Sequence, residues 1–290
     1  MTTTTLAGAI AHERQTDLQD SARRAMNRRT SWIWIGRTLV VVFVVGGWQW
    51  FTAAGWVDKF FFGQPSGIWN SLVHLFTQGT AFGTIWENLG ITVEEAFFGF
   101  LLGTLFGVVI GILFGSNKYL ASVFGPYIKI VNSIPRIVLG SIFVVAFGYG
   151  VFPKVLLASV MVFFVVFFNA FQGVREVDQN LIANVRVLGA SPLQVARHVT
   201  IPSAMTWIIA SLHTAFGFAI IGALVAEVQG ATHGIGLIIT TAQGNLDPDT
   251  VFACMAIMAV VALGAEYLIT LLERSLLKWR PPSRSEAQPI

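Results

Sequence analysis

The sequence has little charge and a single cysteine. Only 11% of its 290 residues are charged and 54% are hydrophobic, whereas roughly a quarter of the residues of an ordinary soluble domain are charged. No stretch carries enough charge to cover the water-facing surface of a soluble protein of this length. Cys254 lies in an apolar run and has no second cysteine with which to form an internal disulfide. The composition therefore predicts one helical bundle in a lipid bilayer.

Catalytic motifs are also missing. The sequence contains no HExxH, no GxSxG nucleophile elbow, no cysteine and histidine cluster at zinc spacing, and no GxxxxGK[ST] phosphate loop. An intramembrane enzyme would need such a constellation, so this class is disfavoured. Without a phosphate loop the chain is not a typical nucleotide hydrolase, and an ATP-driven process would need an ATPase on another subunit.

Six apolar segments approach the roughly 20 residues that a membrane-spanning helix needs. They cover residues 32–50, 91–114, 137–152, 155–171, 207–226 and 251–272. The third and fourth run almost together through "FGYGVFPKV", where Gly148, Gly150 and Pro153 favour a tight turn. We expect an all-α integral membrane protein with about six transmembrane helices. Its transmembrane domain would occupy residues 32–280, between polar tails at 1–31 and 281–290.

The basic residues predict the orientation of these spans. Of the 18 lysines and arginines, 16 fall in the N-terminal tail or first span, in the second and fourth connections, or after the last span. Only Lys59 and Lys154 fall in connections on the other side. Since cytoplasmic loops are enriched in Lys and Arg, we expect both termini and the loop at about 172–202 to be cytoplasmic. The net positive charge of the chain is then explained by the orientation of its spans in the membrane, and no nucleic-acid binding is expected.

The second span carries five glycines at four-residue intervals. They are Gly99, Gly103, Gly107, Gly111 and Gly115. Glycines at this spacing let another helix approach closely, because no side chain holds the two backbones apart. The pattern fits plain helix packing and also a sliding interface beside a transport path. We expect helix packing.

Polar residues in or near the spans are candidates for a translocation path, because they are costly in lipid and often functional. The candidates are Asn132, Ser133, Pro135, Ser211, His213 and Thr214. His213 is compatible both with a hydrogen-bonded structural histidine and with a cavity wall. Glu266, inside the last span, is expected to pair with a polar group or to face a neighbouring helix. Pro135 lacks a backbone donor and so disturbs the start of the third span.

The fourth connection contains a stretch, 179–199, that is too polar to span a membrane. It can form two short helices separated at Gly189. Leu181, Val185 and Leu188 share one face of the first helix, and Ser191 is a favourable N-cap for the second. An amphipathic hairpin of this kind suits docking into a groove on another protein. It could equally rest on lipid headgroups, and the residues by themselves leave both interpretations open.

The segment "LGASPLQVARHVTIP" resembles the cytoplasmic-loop signature of permease subunits of bacterial ABC importers. That signature is EAA, three residues, G, nine residues, and then I-x-x-P. Gly189 matches the glycine, Pro202 matches the closing proline, and Ala183 stands where the glutamate is expected. The resemblance implies that this segment is a coupling helix inserted into a cleft of an ATPase subunit. The implied coupling residues are Ala183, Asn184, Val185, Arg186, Leu188, Gly189, Ala190, Ser191, Pro192 and Leu193.

Further segments are similar, in the same order, to the nitrate, sulfonate, taurine and bicarbonate branch of these permeases. They include "FFFGQPSGIWNSL", "NSIPRIVLGSIFVVAFGYGVFPKV", "AFGFAIIGALVAEV" and "GIGLII". The resemblance implies a multi-pass permease of the bacterial inner membrane that moves a small anionic solute by alternating access. An aromatic or vitamin-precursor solute is the alternative. A self-contained carrier or channel is a further one, although the inverted repeats that would support a carrier are not evident.

The resemblance also implies the partners. They would be a second permease copy in a homodimer, two ATP-binding cassette ATPase subunits, an extracytoplasmic solute-binding protein, and the surrounding lipid. The chain itself would hold no cofactor or metal, because ATP and magnesium would bind to the partner ATPase. It would therefore not be an enzyme.

Overall fold

The computed structural model describes residues 31–276, so the predicted tails lie outside the described residues except for Ser31. Within the described range the regular secondary structure is helical, and no β-strand forms beyond an isolated bridge between Thr80 and Gly83. Five helices are long and apolar enough to cross a membrane, or six if one bent helix pair counts as a span. The prediction of an all-α membrane protein with about six spans is confirmed.

The chain forms two compact units, the first ending at Gly67 and the second beginning at Ile68. Helix α1, Ser31–Ala53, corresponds to the first predicted span. The short helix α2, Lys59–Phe62, follows it, and α3, Pro65–Thr77, begins in the first unit. The amide N–H of Ser66 donates to Gln49 Oε1 at 3.0 Å, which holds the start of α3 against α1.

The second unit contains the remaining helices. They are α4 Ile85–Ser116, α5 Lys118–Asn132, α6 Arg136–Phe147, α7 Val151–Arg175, α8 Gln179–Val187, α9 Pro192–Val195, α10 Ile201–Gln229, α11 Ile235–Gly244 and α12 Pro248–Leu276. A π-helical turn, Ala196–Thr200, joins α9 to α10. The helical backbone consequently runs from Pro192 to Gln229 without interruption. Helices α4, α7 and α10 pack against one another and form the centre of this unit.

The bounds predicted for the third span, 137–152, are wrong. Helix α6 has only 12 residues and ends at Phe147, and Phe152 belongs to α7. An additional helix, α5, precedes α6 and is bent from it by 84° at a short break that includes Pro135. Proline lacks the N–H needed to continue the helical ladder, so the break falls there. The predicted turn is present, since Gly148 ends α6 with φ at 82°.

The other spans are longer than predicted. Helix α7 begins at Val151, so Pro153 lies in its first turn, where the missing N–H of proline costs no hydrogen bond. Helix α10 extends beyond 207–226 at both ends, and α12 extends beyond 251–272. Helix α11, of 10 residues, was not predicted and is too short to cross a bilayer.

The five spaced glycines of α4 lie directly against α7. In chain order they face Ala158, Val162, Val166, Ala170 and Val174. The contacts advance by four residues on both helices and in the same direction, so α4 and α7 run parallel. A Cβ on Gly103 would lie 2.5 Å from the carbonyl oxygen of Ser159. The two backbones therefore touch, and only glycine leaves room for that approach.

Candidate functional site

The fourth connection forms a helical hairpin, residues 179–195, which consists of α8, a turn at Gly189 and α9. Gly189 has φ at +87°, a left-handed conformation that glycine adopts without strain. Ser191 Oγ accepts a hydrogen bond from Gln194 N, and the Gln194 side chain accepts one from Ser191 N. This reciprocal capping box fixes the start of α9. The two short helices and their separation at Gly189 are as the sequence predicts.

The tip of this hairpin exposes large apolar side chains. Val187, Leu188 and Leu193 are 87%, 85% and 78% exposed, and they flank Gly189 on both sides. Nothing lies within 4 Å of the position where a Cβ of Gly189 would be. Contiguous exposed apolar side chains mark interaction surfaces. We call Val187, Leu188 and Leu193 the hairpin tip.

The remaining predicted coupling residues surround the tip. Ala183, Asn184 and Arg186 are exposed along α8, whereas Val185 and Ala190 are partly buried. Val187 was not among the predicted residues. Val187 lies outside the face that Leu181, Val185 and Leu188 share, and it is exposed at the last position of α8, beside the Gly189 turn. The absent glutamate leaves Ala183 as an exposed small side chain on the hairpin.

Three of the predicted path residues lie at the break between α5 and α6. Arg136 Nη2 donates to Asn132 Oδ1 at 2.6 Å, and the Arg136 guanidinium lies 5.5 Å from the centre of the Phe164 ring. Ser133 Oγ donates to the carbonyl of Lys129 at 2.8 Å. Asn132 and Ser133 thus take part in hydrogen bonds close to the break.

The other three predicted path residues lie on α10 and differ in their surroundings. Ser211 is buried and donates to the carbonyl of Ile208, whereas Thr214 is exposed. His213 is held by two carboxylates of α12: its Nδ1 lies 2.6 Å from Glu266 Oε1 and its Nε2 2.9 Å from Glu273 Oε2. Three of the six predicted path residues thus lie at the α5–α6 break and three on α10, where His213 links α10 to α12.

A buried polar cluster was missed by the sequence analysis. Asn88, Thr92 and Glu95 share one face of α4 and are fully buried. The Lys154 ammonium lies 3.0 Å from Glu95 Oε1, and Thr92 Oγ1 donates to Glu227 Oε1 at 2.7 Å. Lys154 was predicted to lie in a connecting loop, but it occupies the first turn of α7 and is 2% exposed. The spacing of the three polar residues on α4 was the available signal.

This cluster caps the start of α11. The amide N–H of Gly234 donates to Asn88 Oδ1 at 2.8 Å, that of Ile235 to Thr92 Oγ1 at 2.9 Å, and that of Gly236 to Glu227 Oε2 at 2.6 Å. The first N–H groups of a helix have no hydrogen-bond partner within the helix. Here three consecutive N–H groups at the start of α11 find their acceptors in side chains of the cluster.

The two glycines of "GIGLII" follow from this cap. Gly234 has φ at +112°, and a Cβ on Gly236 would lie 2.5 Å from Glu227 Cβ. The cluster thus fixes α11 against α4 and α10. Within residues 31–276, no group of three or more His, Cys, Asp or Glu side chains is arranged to hold a metal ion.

Comparison with known proteins gives consistent matches. The family model for the binding-protein-dependent transport system inner membrane component matches residues 103–278. The chain is 32% identical over 247 residues to the putative aliphatic sulfonates transport permease protein SsuC of Bacillus subtilis (strain 168), covering 85% of this chain and 88% of that one. It is 29% identical over 265 residues to the taurine transport system permease protein TauC of Escherichia coli (strain K12), covering 87% and 94%.

A third relative and two solved structures extend the comparison. The riboflavin transport system permease protein RibX of Chloroflexus aurantiacus (strain ATCC 29366 / DSM 635 / J-10-fl) is 25% identical over 252 residues, covering 87% of this chain and 92% of that one. An amino acid ABC transporter aligns with a TM-score of 0.51 and 22% identity over 65% of this chain and 92% of its own. A methionine ABC transporter in inward-facing conformations aligns with a TM-score of 0.51 and 21% identity, over 71% of this chain and 96% of its own. These two structures show that the fold is shared.

The long apolar helices and these matches together define a multi-pass transport subunit of the bacterial inner membrane. The chain belongs to the family of binding-protein-dependent transport system inner membrane components, as an ABC importer permease of the sulfonate and taurine branch. It is not an enzyme, because ATP hydrolysis in these importers is carried out by separate subunits.

Proposed function

We propose that this permease imports a small anionic solute of the sulfonate or taurine type, by alternating access driven by two separate ATPase subunits. The relatives at 32% and 29% identity, whose names specify aliphatic sulfonates and taurine, support the solute class. A second copy of the chain would complete the transmembrane part, and a solute-binding protein would deliver the solute from outside.

The observation that carries the coupling proposal is the exposed hairpin tip. Val187, Leu188 and Leu193 present apolar surface at the end of a capped, narrow hairpin, a shape that fits a groove on a partner. In the isolated chain these three apolar side chains are exposed to water, which is unfavourable. A partner that covered all three would remove their apolar area from water, and that burial would favour binding. We infer that the ATPase subunit covers this tip.

The hairpin is connected to the membrane part in a way that suits transmission of movement. Helix α9 continues through the π-helical turn into α10, so a displacement of the tip acts on a helix that reaches Gln229. Helix α10 packs against α7 and α4, and Glu227, near its other end, belongs to the buried polar cluster. Rigid movement of α10 relative to its neighbours would be a two-state element of the kind that alternating access requires.

Co-purification tests the coupling proposal. The full chain is co-expressed with the ATPase subunit from its own genome, and Leu188→Asp with Leu193→Asp is compared with Arg197→Ala, which changes an exposed residue beyond the tip. We expect the double variant to lose the ATPase and Arg197→Ala to retain it. Retention of the ATPase and unchanged transport by the double variant would contradict docking at the tip.

Uptake measurements test the solute class. Membrane vesicles or cells that contain the complete importer are given labelled taurine, an aliphatic sulfonate, nitrate or riboflavin. We expect ATP-dependent uptake of taurine or the sulfonate, with mutual competition between them. The second candidate is an aromatic vitamin precursor, which the riboflavin permease relative favours. Uptake of riboflavin without uptake of either sulfonate would replace the first proposal with the second.

A further inference from the structure

Two adjoining cavities meet at the end of α7, where both are lined by Arg175. The first has a volume of about 450 Å³ and lies between α4, α5 and α7, with four phenylalanines in its wall. These are Phe114, Phe167, Phe168 and Phe171. The second, of about 500 Å³, lies between the end of α4, the end of α7 and the hairpin. An apolar cavity thus opens beside a more polar one.

The charges that line these cavities all have one sign. Lys129 and Arg175 line the first, and Lys118, Arg175 and Arg186 line the second. Neither cavity has an Asp or Glu among its described lining residues. None of the four cations forms an ion pair with another residue of the range 31–276. The Arg175 guanidinium instead lies 5.0 Å from the centre of the Phe171 ring. The second cavity therefore offers three cations to an anion.

Helix α5 has the properties of a helix that lies at a membrane surface. It is amphipathic, contains no buried residue and carries a lysine near each end. It is bent by 84° from α6, which puts it nearly perpendicular to that apolar helix. Tyr119 and Tyr127 are 85% and 63% exposed, and tyrosines are enriched where a bilayer meets water. The aromatic cavity beneath α5 would therefore lie at the depth at which lipid headgroups give way to acyl chains.

We propose that these two cavities bind one anionic phospholipid. The phosphate would lie in the second cavity, near Lys118, Arg175 and Arg186, and an acyl chain would fill the aromatic cavity. A basic pocket next to apolar surface between transmembrane helices recognises anionic headgroups in this way. Arg175 belongs to α7 and Arg186 to the hairpin, so the bound headgroup would hold the hairpin against α7. The choice of the cytoplasmic leaflet rests on the proposed function.

A lipid-binding measurement on the complete purified chain tests this site. The protein is delipidated in detergent and titrated with phosphatidylglycerol or with phosphatidylcholine of the same chain length, and bound lipid is counted by native mass spectrometry. We expect preferential binding of phosphatidylglycerol. Removing one cation near a lipid surface costs about fivefold in affinity, equivalent to about 1 kcal/mol. Arg175→Gln should thus weaken binding about fivefold, and Arg175→Gln with Arg186→Gln about 25-fold.

Two further variants test whether lipid binding depends on these two cavities and not on positive charge in general. Arg197→Gln removes an exposed cation of the same connection that lines neither cavity, and it should bind phosphatidylglycerol like the unmodified chain. Gly125→Leu keeps every charge but fills the aromatic cavity, since nothing lies within 4 Å of a Cβ at that position. It should weaken phosphatidylglycerol binding at least tenfold. Size-exclusion profiles identify any variant that fails to fold.

Several outcomes would overturn the proposal. Equal affinity for phosphatidylglycerol and phosphatidylcholine would do so, as would equal effects of Arg175→Gln with Arg186→Gln and of Arg197→Gln. Displacement of the lipid by inorganic phosphate or hexanesulfonate at equal concentration would show a site for a free anion. The Leu188→Asp and Leu193→Asp variant should still bind phosphatidylglycerol, so a failure of ATPase docking and a failure of lipid binding can be told apart.

Discussion

Glycine serves opposite purposes in two regions of this permease. Along α4, a Cβ added to Gly103 or Gly107 would meet a backbone oxygen or a side-chain carbon of α7 at 3.0 Å or less. At the hairpin, a Cβ on Gly189 would meet nothing within 4 Å, and glycine is favoured there by the φ of +87°. The first region is closed by packing, whereas the second is open and shaped by local backbone geometry.

The difference indicates where each region obtains its stability. The α4–α7 contact is a long, close-packed interface, and interiors packed at this density tolerate little change in volume. The hairpin contributes few buried side chains and is held by caps, such as Ser191 with Gln194. Changes in the packed body should therefore alter the global stability of the protein. Changes at the hairpin should mainly alter partner binding and local order.

The largest effect is expected from breaking the buried ion pair in the packed body. Lys154→Met leaves Glu95 buried without its cation, and removing one partner of a buried pair typically costs about 3–5 kcal/mol. The free energy of unfolding in detergent, or the melting temperature followed by size exclusion, measures this loss. Adding Glu95→Gln should recover part of it, because residue 95 then carries no charge, while Glu227, the other buried carboxylate of the cluster, keeps its hydrogen bonds from Thr92 and Gly236. Lys59→Met, at an exposed lysine, is the control and should melt like the unmodified protein.

A smaller loss is expected from closing the gap between α4 and α7. Gly103→Ala places a methyl group 2.5 Å from the Ser159 carbonyl oxygen, and overpacking of this kind costs about 1–3 kcal/mol. Gly90→Ala is the matched control on the same helix, because nothing lies within 4 Å of its Cβ position. It should be neutral or stabilise by up to about 1 kcal/mol through helix propensity. Equal melting temperatures for the two variants would contradict the packing argument.

The same contrast explains how much could be predicted from the sequence. Local patterns were sufficient to predict a hairpin of two helices divided at Gly189 and a turn at Gly148. They also predicted the close helix packing at the α4 glycines. They failed at the third span, because α5 is amphipathic and the 84° bend depends on how α5 and α6 are placed in space. The candidate path residues remain a prediction.

The buried polar cluster could not be predicted from local patterns for a related reason. Lys154 lies next to the Gly150 turn, so its neighbours in sequence suggest a loop. Its partner Glu95 lies on another helix and far away in the chain, and only the packing of α4 against α7 brings the two together.

At the hairpin, a change at Gly189 should affect docking more than melting. Alanine in the left-handed region costs about 1–2 kcal/mol, and the open surroundings allow the turn to relax instead of unfolding the protein. We expect Gly189→Ala to bind the ATPase subunit several-fold more weakly with a melting temperature close to that of the unmodified chain. Gly189→Asn should be milder, because asparagine tolerates this conformation. A drop in melting temperature as large as that of Gly103→Ala would remove the distinction between the two regions.

The smallest effect is expected from the cap of α9. Ser191→Ala removes the side-chain acceptor for Gln194 N, and loss of such a cap costs about 0.5–2 kcal/mol of local helix stability. Because α9 is short and its cap is exposed, this cost should appear as faster amide exchange at Gln194 and Val195, measured by hydrogen–deuterium exchange, with the global melting temperature unchanged. Ser191→Asp keeps an acceptor at the N-cap and should preserve the slow exchange. If Ser191→Ala lowered the melting temperature of the α4–α7–α10 body instead, the hairpin would be part of the folding core and not an open docking element.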